Sequence, residues 1–518
     1  MELNAPPLLA EIPVTYRGEP SHSARFLRGW HYLEQADGET YRWTEPEFEI
    51  ALEAVGDCLV LEYNRPGIFG AADCLITGPD GWVEMPVRPC RARLIVDLGP
   101  IIRAPGSLRF SLSKTGRAAG DPRAFGLCVY SVLLADGIEA NRARRDQADI
   151  ELPTTVRHLP TELSVASTDR CNLRCVMCGA HHAQTGDNNA GREDLSGSLM
   201  RKIGVLAAGA DQVQLHGGAG EPLFNPQFWQ MVGEFSRVEG RNVEIHTNGL
   251  LFNPRNIAQL MESAITHVSL SFDAASEAMY RKIRGGSFQK LLANVADLVE
   301  ARRRCSRTDL RFDANMTVFQ ANAHEAAGLV ELAHRLGLDA VMLMHLNSGD
   351  AYNWTENKSD GWVFDYRANL PSADPGHVRN CIDEAIQAAA ALNLQLIVDP
   401  RLLALEANTA TPSPANEATP LSPPEPAPGE PPTAARSLQY GDCRTPWHWL
   451  NVAANGDVYP CCWAAHPLGN LNNVDSLAEI WNGQKIRELR HNIRDNRLDR
   501  DICDGASCLY VAYGKADA

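Results

Sequence analysis

Between residues 162 and 400, apolar strand-like runs alternate with helical patterns, and no other feature limits the fold of this chain as strongly. The runs end at Ser167, Gly217, Thr247, Phe272, Val318 and His345. Helical patterns occupy 198–208, 227–239, 254–263, 288–304, 323–336 and 375–392. Strand-then-helix units predict an α/β fold, here a partial (β/α)6 TIM-like barrel over 160–400, because parallel neighbours need a crossover and a helix supplies it. Active sites of such barrels gather at the C-terminal ends of the strands. Residues at those ends are therefore the candidates for chemistry.

The end of the first run carries Cys171-Asn172-Leu173-Arg174-Cys175-Val176-Met177-Cys178. Three thiolates on one short loop can ligate three irons of a [4Fe–4S] cluster and leave the fourth iron without a protein ligand. An open metal position marks a site that does chemistry, not one that only braces a fold. The alternatives are a zinc site completed by His181 or His182, or three unrelated cysteines.

The flanking regions read differently. Residues 1–150 show short alternating runs separated by Gly, Pro and Asp turns, which predicts an all-β sandwich, jelly-roll-like, with Trp30, Tyr32, Tyr41 and Trp43 either stacking on a sugar ring or packing in the core. Residues 405–437 are dense in Pro, Ala, Ser and Thr and predict a disordered linker. Residues 438–518 predict a small cysteine-bearing domain. Cys58, Cys74, Cys90, Cys128, Cys305 and Cys381 stand singly and are expected as buried packing residues.

The formal net charge of −16 offers no basic footprint for nucleic acid or anionic lipid. No apolar run reaches membrane-spanning length, and the first residues lack the basic-then-apolar pattern of a signal peptide. The expectation is a cytoplasmic protein, where fourteen cysteines mean metal or catalysis before disulfides.

DRCNLRCVMC resembles the cluster motif of the radical SAM superfamily, in the form seen in members with a SPASM or Twitch auxiliary-cluster domain. Met177 stands where many members have an aromatic. The resemblance continues through the chain. HGGAGEP at 216–222 resembles the segment that binds the amino group of S-adenosylmethionine (SAM), which implies that role for Gly220 and Glu221. Thr247 lies in a TNG element, and Ser271 with Asp273 resembles the segment that hydrogen-bonds the SAM ribose and carboxylate. Arg284 in YRKIRGG is placed to pair with a carboxylate. Asn315, Met316, Met344 and His345 lie where relatives place adenine and methionine contacts. His216 and His246 are either satisfied barrel histidines or an acid–base pair. A loop at 350–366 with Tyr352, Trp354, Trp362 and Tyr366 is either a substrate lid or packing.

At the C-terminal end, Cys443, the Gly456–x4–Cys461 hairpin, and Cys503 with Cys508 resemble the SPASM/Twitch pattern, although full SPASM proteins have four terminal cysteines. The resemblance implies one auxiliary [4Fe–4S] cluster on Cys443, Cys461, Cys503 and Cys508, with Cys462 a substitute or nearby thiol, and a four-cysteine zinc site as the alternative. It further implies reductive cleavage of SAM to a 5′-deoxyadenosyl radical, with flavodoxin or ferredoxin as electron donor. Hydrogen abstraction would then lead to oxidation, epimerisation or cross-linking of a substrate. The substrate reads as a saccharide or glycoconjugate, with a peptide or protein side chain as alternative. A non-catalytic iron–sulfur relay or sugar-binding protein is the reading from another class.

Overall fold

Alternation decides the first part of the molecule. In Glu47–Leu52 every second side chain is buried, and Ala72–Thr77 repeats the pattern, as strands with one face on a core must. The computed structural model of the chain describes residues 14–16, 19–20, 24–36, 39–117, 123–179, 192–207, 209–216, 220–235, 241–347, 353–357, 361–406, 440–462, 464–503 and 508. Two compact units divide it: 1–151 with 156–158, and 152–155 with 159–518.

The first unit holds two sheets. One is ordered Arg91–Asp97, Cys58–Asn64, Cys128–Ala135, Val14–Tyr16, Glu19–Pro20, with Trp30–Ala36 and Glu39–Thr44 attached. The other is ordered Ala24–Phe26, Glu47–Leu52, Gly106–Leu112, Ala72–Thr77, Trp82–Val87. Leu59, Leu61 and Tyr63 of the former share one core with Phe48, Ile50 and Phe110 of the latter, so the sheets form a sandwich. The aromatics with a proposed sugar role are engaged in packing. Trp30 lies 4.5 Å from Phe26 and 5.2 Å from Phe48, and its indole N–H donates to the Glu49 carbonyl. Trp43 packs on Phe125 and Tyr41 on Tyr130. The Tyr32 side chain lies outside the described residues.

Cys58, Cys74, Cys128 and Cys381 are buried as expected, whereas Cys90 and Cys305 are exposed. The reason is local. Cys90 sits in the turn before Arg91–Asp97, and Cys305 caps the end of helix Phe288–Arg304. Neither position has a core to face.

The second unit is built on one sheet. Its strands are β1 (Glu162–Ala166), β2 (Gln212–His216), β3 (Asn242–Thr247), β4 (His267–Ser271), β5 (Arg311–Val318), β6 (Ala340–His345), β7 (Gln395–Val398), β8 (Trp449–Val452), β9 (Asp457–Tyr459) and β10 (Gly469–Asn470). The order is β7-β6-β5-β4-β3-β2-β1-β8-β9-β10, with β7 through β8 parallel. Both ends of this order are edges, so the sheet is a partial barrel of the α/β TIM-like kind. The expected strands end within a residue or two of their predicted limits.

Two differences matter. A seventh parallel strand, β7, pairs with β6 (Met342 opposite Ile397), where the alternation predicted six. The C-terminal region adds strand β8 to β1, with Glu162 opposite Trp449, and so continues the barrel sheet where a separate small domain was expected. The expected linker at 405–437 lies outside the described residues apart from 405 and 406. Among the described residues no helix is long and apolar enough to cross a membrane.

Candidate functional site

The cysteine loop leaves β1 and is braced by its neighbours. Gly220 has no room for a side chain: a Cβ there would lie 2.4 Å from the Arg170 carbonyl oxygen and 2.6 Å from that of Thr168. The Glu221 amide donates to the Arg170 carbonyl at 2.8 Å, and the Asn225 side-chain amide donates to the Ser167 carbonyl at 2.6 Å. Asn248, after β3, donates from its side chain to Asn172 between the first two cysteines, at 2.8 Å. The Val176 amide donates to the Ile283 carbonyl, and the Trp354 indole donates to the Val176 carbonyl at 3.0 Å. Three strand ends and the 350–366 loop thus hold one short segment in place. Trp354 and Tyr366 pack on each other at 4.2 Å, with Tyr366 buried, while Tyr352 lies outside the described residues.

Cys171, Cys175 and Cys178 line one cavity of about 450 Å³. Gly220, Glu221, Thr247, Ser271 and Arg284 line it too. Burial pushes the Cys171 thiol up to about 11 and the Cys175 thiol up to about 12, so both hold protons until a metal displaces them. Among the described residues no three His, Cys, Asp or Glu side chains gather to hold a single metal ion. His181 and His182 lie outside the described residues.

Glu221 is buried and engaged on its protein side only. Its carboxylate accepts from the Thr247 hydroxyl at 2.6 Å and the Asn248 amide at 2.7 Å. Burial raises its pKa to about 7 against these two hydrogen bonds and a longer third from the Leu223 amide at 3.4 Å. A protonated amine arriving in the cavity would restore the charge and find an acceptor already oriented.

Asp273 is placed differently from expectation. It has φ +57, is buried, and does not line the cavity. One oxygen accepts from Arg284 Nε at 2.7 Å and the other from the Thr317 amide at 2.7 Å. Its carboxylate is consumed in orienting Arg284, which itself lines the cavity. Met316 is fully buried barrel core, and Asn315, Met344 and His345 also lie off the cavity wall.

The remaining wall is polar and almost uncharged. Ser164, Gln214, His216, His246 and Asn451 line it from β1, β2, β3 and β8. His216 Nε2 lies 3.3 Å from Asn451 Oδ1, and burial lowers its pKa to about 4, so the ring is neutral at pH 7. His246 is held at 2.7 Å by Glu244, which also meets His267 at 3.2 Å; His267 in turn meets Asp313 at 2.8 Å. This network was not anticipated from sequence. Its signal is the period-two polarity of Gln212, Gln214 and His216 on β2, and of Glu244 and His246 on β3, aimed at the lumen of a barrel.

A second cavity, of about 400 Å³, is lined by Cys443, Cys461, Cys462, Cys503 and Cys508. The four expected ligands are therefore brought together. The Tyr440 hydroxyl lies 3.2 Å from Cys503 Sγ, and burial raises the Cys503 thiol to about 12. Cys462 and Trp449 line both cavities.

Comparison with known proteins places these two sites. Residues 165–313 match the family described as the radical SAM superfamily, and residues 443–508 match the SPASM iron–sulfur cluster-binding domain. The chain therefore carries a radical SAM domain and, toward its C-terminal end, a SPASM domain. Domains of the first kind bind a [4Fe–4S] cluster and SAM, and those of the second bind auxiliary iron–sulfur clusters. Similar proteins include a GTP 3′,8-cyclase of Peptoclostridium acidaminophilum, 31% identical over 140 residues, 26% of this chain and 41% of that protein. The PqqA peptide cyclase of Rhodopseudomonas palustris is 22% identical over 329 residues, 62% of this chain and 74% of that protein. A similar solved structure is Streptococcus suis SuiB bound to S-adenosylmethionine (TM-score 0.46, 16% identity, 68% of this chain and 72% of that one). The chain spans only 41% to 59% of the length of the first curated relatives it matches.

Proposed function

We propose that this chain abstracts a hydrogen atom from a neutral, hydrogen-bonding group of a peptide substrate held in the barrel cavity. The observation that carries the reading is the gathering of Cys171, Cys175, Cys178, Glu221 and Arg284 around one cavity whose other lining, among the described residues, holds no further Lys, Arg, Asp or Glu. When bound, the cluster and SAM supply a 5′-deoxyadenosyl radical. Cys171, Cys175 and Cys178 hold the cluster through three irons. Glu221, fixed by Thr247 and Asn248, accepts the SAM ammonium; Ser271 and the guanidinium of Arg284 take its carboxylate and ribose. Asp273 acts as a positioning residue for Arg284. The cysteines of the terminal cavity would hold an auxiliary cluster able to exchange electrons with the substrate, and a flavodoxin or ferredoxin would supply the reducing electron.

The wall chemistry discriminates among substrates. A nucleoside triphosphate needs several cations, and among the described residues Arg284 is the only Lys or Arg lining the cavity and is already paired with Asp273. Similarity to GTP cyclases therefore does not extend to their substrate. Similarity to a peptide cyclase runs over 62% of this chain. The saccharide reading drew on the β-sandwich of the first unit, whose Trp30, Tyr41 and Trp43 are occupied in packing. It survives only as a neutral polyol alternative at the same wall.

Anaerobic reconstitution with iron and sulfide, followed by dithionite and SAM, tests the chemistry. The expected product is 5′-deoxyadenosine; well-loaded protein that yields none contradicts the enzyme reading.

A further inference from the structure

The barrel cavity has two histidines on its wall, and they are tied differently. His216, at the end of β2, places Nε2 3.3 Å from Asn451 Oδ1 of β8, an acceptor, so this nitrogen donates. His246 of β3 places Nε2 2.7 Å from Glu244 Oε1, with the Gln214 side-chain amide 2.9 Å from the same nitrogen. Glu244 is buried, and the groups behind it keep it ionised. Its Oε1 also meets His267 Nδ1 of β4 at 3.2 Å, and its Oε2 accepts from Gln212 Nε2 of β2 at 3.1 Å. His267 Nε2 meets Asp313 of β5 at 2.8 Å, and Asp313 accepts from Arg311 Nε at 2.8 Å. Two cations thus stand against two carboxylates. Burial opposes charge on His267 and on Glu244, yet the pairing outweighs it: His267 is raised to about 9, and Glu244 is held well below the ordinary carboxylate range.

An ionised carboxylate has no proton to give, so the hydrogen of the 2.7 Å contact belongs to His246 Nε2. In the neutral ring the lone pair then lies on Nδ1, and no hydrogen bond ties that nitrogen among the described residues. The side chain is 31% exposed and lines the cavity, so the ring is within reach of a bound molecule. An imidazole held by a carboxylate at one nitrogen and open at the other is arranged as a general base.

We propose that His246 is the proton acceptor of the barrel cavity and Glu244 its positioning residue. The assignment rests on the reading above that the substrate lies in this cavity, and it narrows that substrate to one with an O–H or N–H beside the carbon that is attacked. The proton of that group passes to Nδ1, and the electron pair stays on the oxygen or nitrogen. The hydrogen atom of the neighbouring carbon leaves separately, to the 5′-deoxyadenosyl radical. Glu244 keeps its charge throughout and stabilises the imidazolium that forms.

The first test needs no substrate. The full chain, reconstituted anaerobically and kept oxidised, is prepared with isotope-labelled histidine and studied by nuclear magnetic resonance at mildly alkaline pH, the His246 signals being those missing from His246→Gln. The expected spectrum has hydrogen on Nε2 and a bare Nδ1, and in Glu244→Gln the ratio of this tautomer to the other falls at least about tenfold. Hydrogen on Nδ1 in the parent overturns the assignment, as does a ratio unmoved in Glu244→Gln; the parent spectrum decides even where that variant does not fold. The second test gives the loaded chain SAM, dithionite and a library of short random peptides, and follows altered peptide per 5′-deoxyadenosine by mass spectrometry across pH. His246→Gln should lower that ratio at least about a hundredfold and abolish the acid limb of the parent's profile. An unchanged ratio overturns the proposal. A parent that forms 5′-deoxyadenosine and alters no peptide contradicts the peptide reading instead, and the spectrum still decides for or against the His246–Glu244 pair.

Discussion

The two cysteine cavities differ in what surrounds their thiols. In the barrel, the three thiols of one loop, with Cys462 on the wall common to both cavities, sit beside an oriented carboxylate, a paired guanidinium and hydrogen-bonding side chains. Beside it, five thiols share a wall with apolar helix residues, Glu162 and Arg444, whose guanidinium is bonded to backbone carbonyls. The first has three thiols on one short loop and an acceptor waiting for an ammonium. The second has sulfur to spare and charge to compensate. A site with a vacant ligand position suits chemistry, and a fully ligated one suits holding electrons or structure. Sequence spacing shows the sulfurs; only the folded wall shows this division of labour.

Variants can break that contrast. The largest effect is expected from Cys175→Ser, which should abolish 5′-deoxyadenosine formation and remove about half the bound iron while the terminal cluster remains. Cys503→Ser should instead leave SAM cleavage measurable and remove the other half. Iron analysis beside product chromatography checks both. Loss of SAM cleavage in the two alike would erase the distinction.

Gly220→Ala should act on the frame of the first site. Its Cβ would meet the Arg170 and Thr168 carbonyls at 2.4 and 2.6 Å, and backbone cannot swing aside as a flexible side chain can. Urea unfolding of the metal-free chain should show a loss of about 2–4 kcal/mol.

Glu221→Gln keeps the shape and removes the charge. SAM affinity of the loaded chain, measured by equilibrium dialysis, should weaken about 10- to 100-fold, the range for a lost charge-assisted hydrogen bond. Potentials at the terminal cluster should not move.

The smallest effect concerns the barrel floor. Burial works against a charge on His267, but Asp313 and Glu244 outweigh it and raise the pKa to about 9 from the ordinary 6.5. The folded chain therefore holds that proton more tightly than the unfolded one. The resulting stability is complete below pH 6.5 and is lost as pH rises through about 9. Glu244 has the opposite sign: its carboxyl is held well below the ordinary 4.5 by His246 and His267, overcoming burial, so its contribution is lost in acid. His267→Gln should lower stability at pH 6 by on the order of 1–2 kcal/mol, after allowance for partial solvent exposure, and flatten the profile between pH 6.5 and 9. Urea midpoints across that range supply the check.

Much of this architecture was legible in the chain. The strand ends and the cysteine loop follow from alternation and spacing, and the Gly220–Glu221 pair from the family resemblance of HGGAGEP. Strand β7 was hidden because four residues after a long helix carry too little periodicity to stand out. Strand β8 joined the barrel sheet across a long separation in sequence, which no local pattern encodes. Asp273 sits two residues beyond Ser271 at a strand end and looks like a ligand; only the folded positions of Arg284 and Thr317 show that its oxygens are taken. Arg490 reads as a solvated helix residue until Trp481, Pro446 and Thr154 close around it.

The central claim is that the first cluster alone offers SAM a bare iron. Electron paramagnetic resonance of the reduced, fully loaded chain, recorded before and after adding SAM, tests it most directly. The account predicts that the signal lost in the Cys171→Ala, Cys175→Ala, Cys178→Ala chain shifts with SAM while the terminal signal stays fixed. A first-cluster signal indifferent to saturating SAM, or a terminal signal that moves in its place, would contradict it.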